Sequence, residues 1–228
     1  MKLTVTGGKG GVGKSTVAYN LAAELDAVVV DADLGMADLP RQRGPDLHDV
    51  LSGRATPLEA VADDGPVALL PCGRSLAGAR AADPTALVDT IAAVERHYGR
   101  VVIDSPAGLR CDAGLTLLAG DACLLVTRPS RAAIADALRA RELARAIDTP
   151  LARVVLNRVD TGRVAVTDSR LERLETALGG PVTQIPDSDL LHRAQWSGIP
   201  VREIDSESVA AEVFTDLART LTQELRSY

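Results

Sequence analysis

Thr6-Gly7-Gly8-Lys9-Gly10-Gly11-Val12-Gly13-Lys14-Ser15-Thr16 is the stretch on which the fold turns. Before it, Lys2-Leu3-Thr4-Val5 reads as a short buried strand. After it, Val17, Leu21 and Leu25 repeat at helical spacing. Strand, glycine-rich turn and helix form the context of a P-loop, and Gly8 through Ser15 matches G-x-x-x-x-G-K-[ST] in full. The glycines let the backbone curl so that successive N–H groups face one concavity suited to phosphate oxygens. A helix opening near Lys14 adds its positive end. Lys14 can reach the β- and γ-phosphates of a nucleotide, and the Ser15 hydroxyl can ligate Mg²⁺.

The 228 residues are 46% hydrophobic, enough for one sizeable core, and a single domain over residues 1–228 is the simplest count. A net charge of −6 gives no general affinity for nucleic acid or anionic membrane. Cys72, Cys111 and Cys123 lack C-x-x-C spacing and read as unpaired thiols in a reducing compartment. Met1-Lys2-Leu3 runs directly into the first strand, leaving no room for a signal peptide, and no apolar run approaches transmembrane length. The expected location is the cytoplasm.

Ala27-Val28-Val29-Val30-Asp31 is continuously apolar before its aspartate, as a strand buried on both faces in a parallel sheet requires. Asp31, Asp33 and Asp38 follow its C-terminal end, on the rim where α/β sheets place their ligands. Asp38 fits a polar loop cap equally well. Arg100-Val101-Val102-Ile103-Asp104 is a second apolar strand ending in an aspartate, the Walker B arrangement, and Asp104 can hold Mg²⁺ through a water opposite Ser15. Further strands are read at Val67–Pro71, Asp121–Thr127, Val154–Asp160 and Val182–Asp187. Short helices are read at Leu47–Gly53 and Pro57–Ala62, and longer ones from Asp83-Pro84, over Arg131–Ile147 and over about Ser206–Arg226. The last of these places Val209, Val213, Leu217, Leu221 and Leu225 on one face. The 40–45 stretch, with Arg41, Gln42 and Arg43, reads as an exposed loop. His48, His97 and His192 show no ligand spacing and take surface or structural roles. Trp196 reads as a core or hinge aromatic. The mixed charges of the 131–147 helix read as a solvated face, ahead of a DNA-binding one. The fold class is α/β: a mostly parallel twisted sheet of about seven strands with helices on both faces.

Lys9 adds a second lysine to the P-loop, in a chain whose only lysines are Lys2, Lys9 and Lys14. Lys9-Gly10-Gly11-Val12-Gly13-Lys14-Ser15-Thr16 resembles the deviant Walker A motif of the MinD/ParA family of ATPases. Asp104-Ser105-Pro106-Ala107-Gly108 resembles the switch II of its MinD branch, and Leu190 to Val201 resembles the family's closing segment. The resemblance implies that Lys9 reaches across a homodimer interface to the partner's ATP. It also implies that Asp33 positions the attacking water, that Asp31 stands behind it, and that the Gly108 N–H meets the γ-phosphate. Asn157 would read adenine, and the turn at Pro186 and Asp187 would pack on the base. Asn157-Arg158-Val159-Asp160 also approximates the guanine-reading N-K-x-D, but with the lysine replaced, and the deviant loop favours ATP.

The function implied is a Mg²⁺-dependent, ATP-hydrolysing switch that dimerises with ATP in intracellular positioning or partition. The alternatives are an ATPase for metallocentre maturation, with Cys111 as its thiol, and a nucleotide-binding scaffold. The chain stops with its core helix, so a membrane anchor of its own is not expected, and the protein partner or cargo is not readable.

Overall fold

The computed structural model describes residues 1–35, 39–40, 44–73, 75–108, 111–160 and 167–225. Asp38, the Arg41-Gln42-Arg43 stretch and Arg226 at the end of the last helix lie outside the described residues.

In chain order the elements are β1 (Lys2–Thr6), α1 (Lys14–Leu25), β2 (Val28–Asp31), α2 (Leu47–Leu51), β3 (Leu69–Leu70) and α3 (Leu76–Ala81). After a 3₁₀ turn at Pro84–Ala86 come α4 (Leu87–Tyr98), β4 (Val101–Asp104), α5 (Cys111–Ala119), β5 (Ala122–Thr127) and α6 (Arg131–Ala146). The chain continues through β6 (Leu151–Val159), α7 (Asp168–Leu178), β7 (Val182–Pro186), α8 (Asp189–Ser197), α9 (Val201–Ile204) and α10 (Val209–Glu224). The strands form one seven-stranded sheet in the order β3-β2-β4-β1-β5-β6-β7, and every pairing within it is parallel.

The continuous apolar runs follow from helices on both faces. Val29 and Val102 join the cluster that contains α1 and α10, while their neighbours Val28, Val30, Val101 and Ile103 join the cluster that contains α2 and α4. Leu125 and Val154 meet α6 and α7 on a third. α1 is sandwiched between the sheet and α10, and its Ala18, Ala22 and Ala23 let both approach closely. Phe214 of α10, the chain's one phenylalanine, is fully buried there. Truncating such a side chain costs about 3–5 kcal/mol.

Register then carries the carboxylates to one place. Asp31 pairs with Asp104 across β2 and β4, and Asp104 pairs with Val5 across β4 and β1. Residues opposite one another in parallel strands share a face, so both aspartates sit at strand ends on the face that α1 covers.

The structure corrects several expectations. Pro57–Ala62 is a turn, not a helix: the Thr56 N–H and hydroxyl both donate to Glu59 (2.8 Å each), and Ala62 is drawn into an antiparallel bridge with Leu69. The third strand shrinks to two residues at the sheet edge. Helices α3, α5, α7, α8 and α9 have no counterpart in the sequence reading. α7 buries only Leu178 among its described residues, so no apolar stripe announces it. Trp196 is 94% exposed rather than a core or hinge aromatic, and Val209 lies outside the buried face of α10, which runs through Ala210, Ala211, Phe214, Leu217, Ala218 and Leu221.

Candidate nucleotide site

The glycine-rich loop connects the central strand β1 to α1, and its glycines meet two different demands. Gly11 (φ +76°) and Gly13 (φ +100°) adopt the left-handed backbone that other L-residues resist. Gly8 is pressed against α6: a Cβ there would stand 1.9 Å from the carbonyl oxygen of Asp136. Gly13 caps α1, its carbonyl accepting from the Val17 N–H at 3.0 Å. Gly10 approaches Ala107, whose side chain would lie 4.0 Å from a Cβ added to it, so the loop's tip borders the Asp104–Gly108 segment.

The two loop lysines occupy opposite environments. Lys9 is exposed. Lys14 is 7% exposed, yet it forms no ion pair among the described residues, whereas Lys2 bridges Glu95 and Asp121 at 3.4 and 2.9 Å. A buried ammonium is costly unless an anion faces it. Ser15 and Thr16 follow on the first turn of α1, both partly buried.

Asp31 and Asp104 are each 1% exposed. The Asp31 carboxylate accepts from the N–H groups of Asp33 and Leu39, both at 3.3 Å, and so shapes the loop that carries Asp33. Asp33 is partly exposed and accepts from the Gly35 N–H at 3.3 Å. The Ala32 N–H donates to the Asp104 carbonyl (3.0 Å), stitching the two carboxylate-bearing ends together. The buried Cys72 thiol nearby is pushed well above its ordinary range, first by burial and then by the Asp31, Asp46 and Asp33 carboxylates. Beyond Asp104, buried Ser105 accepts from Thr116 (2.9 Å), and the Thr4 hydroxyl donates to the Thr116 carbonyl (2.7 Å). Gly108 has φ +90°.

On the other side of the loop, Thr16, Asn157, Arg158, Pro186, Asp187 and Gln195 line one cleft. Asn157 is 4% exposed and donates from Nδ2 to the Val12 carbonyl at 2.8 Å, while its Oδ1 accepts from the Arg158 N–H at 3.0 Å. A Cβ on Gly13 would stand 2.1 Å from that Nδ2. The asparagine is thus bonded to the glycine-rich loop itself.

Gln195, Tyr19 and Asn20, which the sequence reading passed over, hold this side. The Thr16 hydroxyl donates to Gln195 (3.0 Å), Tyr19 donates to the Gly198 carbonyl (2.8 Å), and Asn20 accepts from the Val201 N–H (2.7 Å). The available signal was Asn20, a polar residue in the buried middle of an apolar helix.

A model of the CobQ/CobB/MinD/ParA nucleotide binding domain matches residues 3–201. The chain belongs to the MinD/ParA family. Among its relatives, an ATP-binding protein of Methanocaldococcus jannaschii is 33% identical over 232 residues, covering 96% of this chain and 86% of the relative. The crystal structure of the cell division ATPase MinD of Pyrococcus furiosus superposes with a TM-score of 0.87 at 31% identity, covering 97% of this chain and 98% of that one. The septum site-determining protein MinD of Pyrococcus horikoshii, complexed with Mg-ADP, gives 0.85 at 29% identity over 95% and 93% of the two chains. The parallel seven-stranded sheet expected for the MinD/ParA fold is therefore present.

Of the sequence-predicted residues, Asp33, Asp104 and Gly108 stand at and just beyond the ends of β2 and β4, Thr16, Asn157, Pro186 and Asp187 line the cleft, and Ser15 stands beside Thr16 on the first turn of α1. No group of three or more His, Cys, Asp or Glu suited to a metal occurs among the described residues. Mg²⁺ does not require one, because it binds through one or two carboxylates together with waters and substrate phosphates. The hard oxygen donors of Ser15, Asp104 and Asp33 fit that chemistry. No helix among the described residues is long and apolar enough to cross a membrane.

Proposed function

We propose that this protein is a Mg²⁺-dependent ATPase whose two protomers close over ATP, working as a cytoplasmic switch in intracellular positioning or partition, with residues 1–228 acting as one domain. The observation that carries this reading is Lys14: a buried ammonium without a carboxylate partner among the described residues, at the positive end of α1, inside a glycine cradle. A polyphosphate supplies the anion such a site lacks.

In this reading Lys14 and the backbone N–H groups of Gly10, Gly11, Val12 and Gly13 hold the β- and γ-phosphates. Ser15 and Asp104 would hold Mg²⁺ there, and the charge it supplies would offset that of the phosphates. Asp33 orients the attacking water, the Gly108 N–H meets the γ-phosphate, and the cleft at Asn157, Pro186 and Asp187 takes adenine. Lys9 is exposed on the loop, where it is available to a second subunit. The partner's Lys9 would neutralise charge on the transferred phosphoryl only in the closed dimer, as an arginine finger does.

Light scattering and turnover with MgATP and MgADP test this. The wild type is expected to dimerise with MgATP and hydrolyse it, and Lys9→Ala to bind ATP while losing turnover by about 10³-fold. An ATP-loaded monomer, or a Lys9→Ala variant as active as wild type, refutes the shared-lysine dimer. Asp33→Ala should trap the ATP state and capture more partner protein than the ADP form does. Equal capture refutes the switch.

A further inference from the structure

His48 is the second residue of the five-residue helix α2 and is 2% exposed. Its Nε2 lies 3.1 Å from the carbonyl oxygen of Leu34 and 3.6 Å from Cys72 Sγ. A carbonyl only accepts, so Nε2 carries the proton in this arrangement. Nδ1 is buried and finds no hydrogen-bond partner among the described residues. Burying a half-satisfied imidazole is unfavourable, and a leucine in the same space would avoid that cost. What a leucine would not provide is the N–H aimed at Leu34.

That N–H falls on an informative peptide. The Leu34 carbonyl and the Gly35 N–H belong to one peptide group, and the Gly35 N–H donates to Asp33 Oδ1 at 3.3 Å. The chain His48 Nε2–H, Leu34 C=O, Gly35 N–H, Asp33 carboxylate is therefore continuous. Polarisation of the peptide by the imidazole strengthens its hold on the carboxylate. The ring is fixed from behind by Gly73, after β3: a Cβ there would stand 2.4 Å from Nδ1 and 2.7 Å from both oxygens of Asp46, the residue that caps α2.

We propose that His48 is a positioning residue for hydrolysis, holding the Asp33 carboxylate through the Leu34–Gly35 peptide and tying the loop after β2 to the loop after β3. This rests on the proposed ATPase reading, in which Asp33 orients the water.

The test measures kcat and KM for MgATP, with melting temperature, in His48→Leu, His48→Gln and Gly73→Ala. Loss of the donor is expected to lower kcat in His48→Leu between about 10- and 100-fold with KM changed less than about twofold, the mark of misplacement in a bound complex. Glutamine, which keeps an N–H at similar reach, should restore most of kcat. Gly73→Ala, which displaces the intact ring, should lower kcat as His48→Leu does. An active wild type matched by His48→Leu, or leucine and glutamine variants equally impaired, overturns the role given to His48 alone. A wild type that binds MgATP and never turns it over removes the hydrolysis reading, and this one with it.

Discussion

Replacing Asn157 with alanine tests the bond that joins the cleft to the phosphate loop. The Nδ2–H to Val12 carbonyl bond is 2.8 Å long and spans 145 positions of chain. Val12 is 3% exposed, so no solvent replaces the lost donor without rearrangement of the loop. A buried acceptor left without its partner costs about 1–3 kcal/mol. Taking ~2 kcal/mol and the 2–4 °C per kcal/mol typical of a domain this size, the melting temperature should fall by about 4–8 °C. If half or more of that energy holds the loop in its phosphate-facing form, ATP affinity falls by about 5- to 30-fold, measurable by calorimetric titration. Asn157→Asp sharpens the test. At pH 7 it sets a carboxylate against a carbonyl and should melt below the alanine variant. In the fold the charged form is disfavoured, so this carboxyl titrates above its unfolded value. Its deficit relative to wild type should therefore shrink as pH falls and the protonated group becomes a donor. An alanine variant melting within about 1 °C of wild type would show that the bond holds nothing.

Four further outcomes are expected. Gly8→Ala forces a Cβ onto the backbone of α6, 1.9 Å from the Asp136 oxygen, and should cost about 1–3 kcal/mol by overpacking and abolish binding of a fluorescent ATP analogue. Gly11→Ala meets nothing within 4 Å, so its penalty is only the left-handed strain of about 1–2 kcal/mol, and it should bind more tightly than Gly8→Ala. Brief iodoacetamide treatment of native protein at pH 8, read by peptide mass spectrometry, should label exposed Cys111 and spare Cys72 and Cys123. Both of the latter are buried, and burial pushes the Cys123 thiol up to about 11. The lone Trp196 should emit as free tryptophan does in water and be fully quenched by iodide, and a blue-shifted, protected emission would contradict its exposure.

The features legible in the residues alone are those set by local spacing. Glycines followed by Lys14 and Ser15, apolar runs ending in Asp31 and Asp104, and the 3.6-residue repeat of the longer helices each depend on neighbours a few positions away. Together they sufficed for the parallel sheet and for the rim on which the site lies. Only the tertiary structure brought Asn157 onto Val12, Tyr19 onto Gly198 and His48 between Leu34 and Cys72, because each contact joins segments well separated in the chain. The same holds for exposure. Trp196 and Val209 carry apolar side chains at helical positions, and nothing local states that the face they occupy is left uncovered. Burial is a property of what packs against a residue, and that is set only once distant segments have come together.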